Sequence, residues 1–336
     1  MKIGIAGSGG IVRVALEALR QAEGAEAAAI CVREPKLALG RELAERFGIG
    51  SVYTDYDKML ADPALDFIYI GIVNSLHYDY ARRALEAGKH VIAEKPFTST
   101  AEEARELLAL AERRRLYLLE AVTTLYSPDY LRARELLGSI GPVRLVQANF
   151  SKRSSRYGDY LDGRVLPAFD PAFSGGALYD LNIYNLHLVA GLFGAPREIR
   201  YLANIGPNGI DTSGAAALAY PGFVALCCAA KDSDGDNFAL IQGENGSIRL
   251  DGPPNLCSSL TVTVGGVVEH IEFGAPDNHM VNEFRAFEEI YRTGQWEKSM
   301  DTLRHSALVM ELAARARRDA GIVFPADTAG NAARTR

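Results

Sequence analysis

Gly7-Ser8-Gly9-Gly10-Ile11-Val12 follows a short apolar run, Ile3–Ala6, and opens a stretch with helical spacing. Glycine at 7 permits a tight turn, and glycine at 9 lets a phosphate reach the main chain without meeting a side chain. The first N–H groups of a helix have no intrahelical partners and carry partial positive charge, so this turn suits the pyrophosphate of a dinucleotide. Val12 stands where a third glycine or alanine would let helix and strand pack closely. A second group comes much later: Asp180, Tyr184 and His187 are spaced by four and three, which on a helix sets carboxylate, phenol and imidazole on one face. Tyrosine, with an ordinary pKa of about 10, suits proton donation to a carbonyl and needs a nearby cation to act as a base. Lys95 is a cation in a place suited to ligand chemistry. It follows a β-like run and precedes Pro96, at a strand's C-terminal end where open α/β sheets bind ligands. An ammonium beside a reacting oxygen stabilises alkoxide character and lowers the pKa of a neighbouring acid.

The nucleotide signal continues at the end of the second β-like run. Val32 occupies the place where a carboxylate would hold the 2′-hydroxyl of NAD, and Arg33 follows it. An arginine there can pair with the 2′-phosphate of NADP, although Glu34 comes next. The cofactor expected is therefore NAD or NADP, with a slight lean to NADP.

These groups need a scaffold, and the periodicity describes one. Up to residue 120, β-like runs (Ile3–Ala6, Ala27–Val32, Asp66–Ile72, His90–Ala93, Leu116–Leu119) alternate with helical stretches (Ile11–Gln21, Leu37–Phe47, Tyr80–Glu86, Ala101–Arg115). That alternation predicts right-handed crossovers and a doubly wound parallel sheet of the Rossmann kind. Beyond residue 120, helices near Tyr130–Leu137 and Ala177–Leu192 accompany eight candidate strands: Val143–Phe150, Glu198–Ile205, Ala215–Tyr220, Phe223–Ala230, Phe238–Gln242, Ser247–Leu250, Leu260–Val264 and Val267–Phe273. Short glycine turns at Pro221-Gly222, Glu244-Asn245-Gly246 and Gly265-Gly266 predict an open, mainly antiparallel sheet in an α+β domain. Two helices, near Met280–Arg292 and Thr302–Ala320, close the chain. The expected division is a dinucleotide-binding domain over 1–120, a substrate-binding and oligomerisation domain over 121–325, and a frayed polar tail over 326–336.

Composition sets the outer limits. The 336 residues are 48 % hydrophobic and 23 % charged, which suits globular domains large enough to fold without staples. A net charge of −6 argues against nucleic-acid or anionic-membrane partners, which call for a basic face. The apolar stretch from Gly214 to Ala230 is broken by Pro221-Gly222 and reads as two strands, not a membrane span. Four cysteines, two of them adjacent at 227 and 228, suit free thiols in a reducing compartment, and no signal peptide opens the chain, so the cytoplasm is expected. The six histidines show no ligand spacing, so no metal is expected.

Further motifs bring in a resemblance: Val73-Asn74-Ser75-Leu76-His77, the run Ala84–Pro96 ending in Glu94-Lys95-Pro96, Gly175-Gly176-Ala177-Leu178-Tyr179-Asp180, and Gly321-Ile322-Val323-Phe324-Pro325. From about residue 3 to 325 the chain resembles the glucose–fructose oxidoreductase / inositol dehydrogenase (Gfo/Idh/MocA) family, in the tyrosine-type branch that includes dihydrodiol dehydrogenases. The resemblance implies hydride transfer between a nicotinamide cofactor and a secondary alcohol or carbonyl of a sugar, polyol or related small molecule. It implies that Lys95 reaches the substrate oxygen and the carboxamide end of the cofactor, aimed by a cis or strained peptide at Pro96. Asn74 and His77 would border the nicotinamide, and Glu94 would belong to the cofactor site. Asp180 and Tyr184 fall on the positions of the family's Asp-x-Gly-x-His/Tyr pattern, with Asn182 in place of the glycine. His187 either relays the proton or satisfies a buried hydrogen bond. Lys152–Tyr157 and Arg164 either line the substrate mouth or are solvated loop charges. A homodimer or homotetramer built through the second sheet is implied as well. Departures at Val12, Asn182 and Leu125 leave two alternatives, a non-catalytic dinucleotide sensor and a cofactor-assisted sugar hydrolase.

Overall fold

Six apolar runs of the first part pair in parallel. In the computed structural model, which describes residues 1–256, 258–274 and 278–328, β1 (Lys2–Ala6), β2 (Glu26–Cys31), β3 (Ser51–Tyr53), β4 (Phe67–Ile70), β5 (His90–Glu94) and β6 (Leu118–Ala121) form one sheet in the order β3-β2-β1-β4-β5-β6. Helices α1 (Gly10–Leu19), α2 (Leu37–Phe47), α3 (Tyr56–Leu60), α4 (His77–Glu86) and α5 (Ala101–Arg114) make the crossovers. The strand order reverses at β1 and β4, the switch point beside which such sheets bind ligands. Strand β4 is buried throughout, in keeping with helices on both faces. The sequence reading lacked β3 and α3. Three half-buried residues at a sheet edge carry no periodic signal, and α3 is a five-residue turn capped by Asp55.

In the second part, β7 (Val143–Ser151), β8 (Glu198–Ile205), β9 (Asp211–Tyr220), β10 (Phe223–Ala230), β11 (Phe238–Gly243), β12 (Gly246–Asp251), β13 (Ser259–Val264) and β14 (Val267–Glu272) form a sheet ordered β14-β13-β12-β11-β7-β10-β9-β8. Every pairing is antiparallel except β7 with β10. Gly265 and Gly266, with φ of 56° and 84°, make the two-residue turn between Val264 and Val267. Helices α6 (Pro128–Leu136), α7 (Tyr157–Leu161) and α8 (Ile183–Phe193) belong to this part.

The chain then revisits the first unit, which comprises Met1–Ala121 and a later stretch ending at Ala307. Asn278 donates its amide to the Val14 carbonyl at 2.7 Å, and α9 (Val281–Arg292) buries Phe284, Phe287 and Ile290. Phe284 lies 5.9 Å from Tyr69, and Tyr291 packs edge-on to Phe67 and His90. The sequence division at residue 120 misses this return, because the apolar stripe of a helix does not say which core it covers. α10 (Trp296–Asp319) follows, and the chain from Leu308 onward belongs to the second unit. There Arg317 donates to both carboxylate oxygens of Asp327 at 2.6 Å, so the tail is anchored one residue past the point where fraying was expected. Residues 329–336 lie outside the described residues, as does Cys257. Cys31, Cys227 and Cys228 are free thiols. No helix among the described residues is long and apolar enough to cross a membrane.

Candidate active site

The glycine turn of the first unit is built for a ligand to approach. Gly7 has φ +117°, and a Cβ there would lie 2.3 Å from the Gly71 carbonyl oxygen, so only glycine fits. Gly9 precedes α1 in extended conformation without any side-chain cap, and a Cβ at Gly9 or Gly10 would meet nothing within 4 Å. The first turn of α1 contains no acidic residue. Bare N–H groups facing open space with no competing carboxylate fit a pyrophosphate. The departure at Val12 has a local explanation. Val12 is fully buried, and a Cβ at Gly71 would sit 2.7 Å from its Cγ2, so the close approach is provided from the strand side. Arg33 is exposed ahead of the short turn Glu34–Lys36, and Asn74 begins the turn Asn74–Leu76 after β4.

His77 is not an exposed contact. It has no accessible surface; Nδ1 lies 2.9 Å from the Pro96 carbonyl and Nε2 3.3 Å from the Ile72 carbonyl. Burial lowers its pKa against those two carbonyls, so the ring is neutral and ties the turn after β4 to the turn after β5. Lys95–Pro96 is a cis peptide, as the motif suggested, and Lys95 is half-buried. Behind it lies a buried acid cluster. Glu94 accepts from the Tyr69 hydroxyl at 2.7 Å, and burial pushes its carboxyl up to about 7 despite that bond and the Lys95 charge. Glu120 and Glu283 are fully buried. Neither oxygen of Glu283 has a hydrogen-bond partner among the described residues, and burial together with Glu94 and Glu120 holds it well above the carboxylate range.

In the second unit, Gly175 and Gly176 are both required. A Cβ at Gly175 would lie 2.6 Å from the Pro167 carbonyl, and Gly176, at φ +101°, faces the Asp211 carboxylate. Asp211 accepts from the Leu178 N–H at 2.6 Å and the Tyr201 hydroxyl at 2.7 Å, and so fixes the entry to the helix. That entry, Leu178–Asn182, is a π-helical turn rather than the α-helix that the four-residue spacing assumed; α-helix begins only at Ile183. Within the turn Asp180 pairs with Lys231 at 2.8 Å. Asn182, the residue replacing glycine, donates to the Cys227 carbonyl at 2.9 Å, and Asn185 donates to the Cys228 carbonyl at 2.9 Å, so together they moor α8 to β10. Exposure falls along the helix. The Asp180 side chain is 37 % exposed, Tyr184 8 % and His187 0 %, with the Tyr184 ring 5.8 Å from Phe150. In the loop, Arg164 pairs with Asp159, and the Arg153 guanidinium lies 5.4 Å from the Tyr157 ring centroid.

Lys95 thus belongs to the first unit and Asp180, Tyr184 and His187 to the second. Sequence reasoning missed Lys231, Asp211 and Glu283. Lys231 had a faint signal, a lone cation ending the apolar run of β10; the other two had none, since the groups around them come from elements remote in sequence.

Known proteins share this plan. Residues 1–121 match the model described as "Oxidoreductase family, NAD-binding Rossmann fold", and residues 130–249 match the "GFO/IDH/MocA C-terminal domain". The chain is 32 % identical to scyllo-inositol 2-dehydrogenase (NADP(+)) IolU of Bacillus subtilis, over 86 % of this chain and 88 % of the relative. It is 30 % identical to trans-1,2-dihydrobenzene-1,2-diol dehydrogenase of Sus scrofa, over 97 % of this chain and 99 % of the relative. Among solved structures, KijD10, a 3-ketoreductase from Actinomadura kijaniata in complex with NADP and TDP-benzene, superposes with a TM-score of 0.82 at 24 % identity, covering 95 % of this chain and 97 % of that one.

Proposed function

Because the chain belongs to the GFO/IDH/MocA oxidoreductase family and carries its NAD-binding Rossmann domain, we propose that it moves a hydride between NAD or NADP and a ring carbon bearing one of two adjacent hydroxyls. The observation carrying this reading is near-full-length similarity to two dehydrogenases whose named substrates, scyllo-inositol and a trans-dihydrodiol, both present vicinal hydroxyls on a six-membered ring. A bound nicotinamide would supply the hydride acceptor or donor. The first-turn N–H groups of α1 hold the pyrophosphate, and Arg33 meets the 2′-phosphate that makes NADP the preferred form. In the reduction direction Tyr184 gives its phenolic proton to the carbonyl oxygen; in oxidation the phenolate takes the hydroxyl proton back. Lys95 stabilises charge on the reacting oxygen, while Asp180 orients the substrate hydroxyl. The complete burial of His187 supports its reading as a structural residue. Val12 and Asn182 each have local packing roles, and Leu125 packs near Gly191 of α8, so none of the three favours a sensor.

Absorbance of reduced nicotinamide, followed with NADP⁺ or NAD⁺ and a panel of inositols and trans-diols, tests the activity. Oxidation of at least one ring diol is expected. Tyr184→Phe should lower turnover about 10²–10⁴-fold at unchanged cofactor affinity, as loss of a general acid does, and His187→Ala should be milder. A collapse with the histidine variant alone would reverse the assignment.

The second sheet supports a homodimer or homotetramer. Leu202 is 80 % exposed on β8, and Val224 and Leu226 are exposed on β10, one strand removed across β9. Apolar surface of this kind commonly marks an interface. Gel filtration across dilution should give at least twice the 36.4 kDa chain mass. Free thiols at Cys31, Cys227 and Cys228 suit a cytoplasmic location.

A further inference from the structure

Lys231 follows β10, and its side chain is 2 % exposed. Its Nζ donates to the Asp180 carboxylate at 2.8 Å and to the Ala168 carbonyl at 2.6 Å, and lies 4.5 Å from the Phe169 ring centroid. An ammonium has three N–H bonds; two oxygens and one aromatic face account for them. We infer that Lys231 is the positioning residue for Asp180, gripping its carboxylate from the buried side so that the exposed side meets substrate in one orientation. This rests on the reading of Asp180 as the group that orients the substrate hydroxyl.

The asymmetry of the pair carries the argument. Burying a lysine is costly, and an apolar residue of similar volume is often as stabilising as a buried ion pair. Asp180 is 37 % exposed, so its carboxylate keeps access to solvent, and the ammonium 2.8 Å away restricts its rotamer from the buried side. The grip is itself rigid. Lys231 N–H donates to Thr212 at 2.8 Å, its carbonyl accepts from the Ser154 N–H at 2.8 Å, and Asp211, which fixes the Leu178 end of the same π-turn, also feels its charge. The π-turn is therefore held at Leu178 by a carboxylate and at Asp180 by an ammonium, while Ala168 O and Ser154 N bring the 154–169 loop into the same frame.

The test is a double-mutant cycle on whichever ring diol the wild type oxidises. Lys231→Met should lower kcat about 10–100-fold, the scale on which a misplacement of about 1 Å acts, with cofactor affinity unchanged. Asp180→Asn should lose a similar factor, and the double variant should be no worse than Asp180→Asn alone. A purely structural lysine would instead leave kcat of the folded variant near wild type, or lose activity additively with Asp180→Asn; either overturns the inference. If Asp180→Asn keeps full turnover, the reading of Asp180 is what fails. A second readout needs no substrate: the ¹H–¹⁵N correlation of the Lys231 ammonium, assigned in the wild type by its NOEs to the Phe169 ring 4.5 Å away, should shift or vanish in Asp180→Asn. An unmoved signal overturns the pairing even if Lys231→Met does not fold.

Discussion

The two units prepare for chemistry in opposite ways. The first unit offers bare main chain: Gly7, Gly9 and Gly10 withhold side chains so that the N–H groups of α1 stay open, and the acids behind Lys95 are buried with little neutralising charge. The second unit offers side chains in fixed pairs: Asp211 on the Leu178 N–H, Lys231 on Asp180, Asn182 and Asn185 on β10. A phosphate takes whatever main-chain dipoles surround it, whereas a proton donor must meet one oxygen from one direction. Recognition by absence suits the former, and recognition by pairing suits the latter.

If the first unit works by absence, the largest effect should come from adding one carbon. Gly7→Ala puts a Cβ against the Gly71 carbonyl, two main chains with no side chain to yield. Cofactor affinity should fall about 10–100-fold, since strain of about 1–3 kcal/mol converts at 1.4 kcal/mol per tenfold. Fluorescence titration with reduced cofactor measures it, and an unchanged affinity would break the contrast.

The buried acids sharpen it next. Glu94 and Glu283 hold protons in the folded state that the unfolded chain releases, so stability is complete below about 4.5 and declines as pH rises toward 7. Glu283→Met removes a carboxyl without hydrogen-bond partners and should gain about 1–3 kcal/mol at pH 7.5, with a smaller gain near pH 4.5. Urea unfolding at the two pH values checks the sign. Equal gains would mean that Glu283 does not titrate in this window.

The smallest effect concerns the outer end of the cofactor. Arg33→Ala should weaken NADP about tenfold, roughly one charge-assisted contact, and leave NAD unchanged. Equal losses would remove the NADP preference.

The same contrast explains what could be read in the sequence. The strands of the second sheet were legible from β-like residue runs, several of them joined by tight glycine turns, even where, as in β14, the burial does not alternate. The nucleotide turn was legible because a requirement for no side chain can be met only by glycine. Asp180 and Tyr184 were found by the family pattern they match, but the π-turn that carries Asp180 was not, because an i→i+5 turn leaves no mark in a short sequence window. Lys231, Asp211 and Glu283 act across loops or between distant elements, where periodicity has nothing to say. The return of α9 to the first core was hidden for the same reason.

Val12 and Gly71 form a lock whose two halves lie on different elements, one on α1 and the other just past β4. Each residue is acceptable only while the other keeps its size: alanine at 71 meets the valine methyl, and glycine at 12 would leave a hole above the strand. In evolutionary terms this is a pair whose members cannot change one at a time without loss. A change to the more usual small residue at position 12 would remove one of the two obstacles at position 71; the Tyr69 ring, 2.8 Å from the same Cβ, would still have to shift. Anyone transplanting the nucleotide turn into another scaffold inherits the same condition and must carry both residues across.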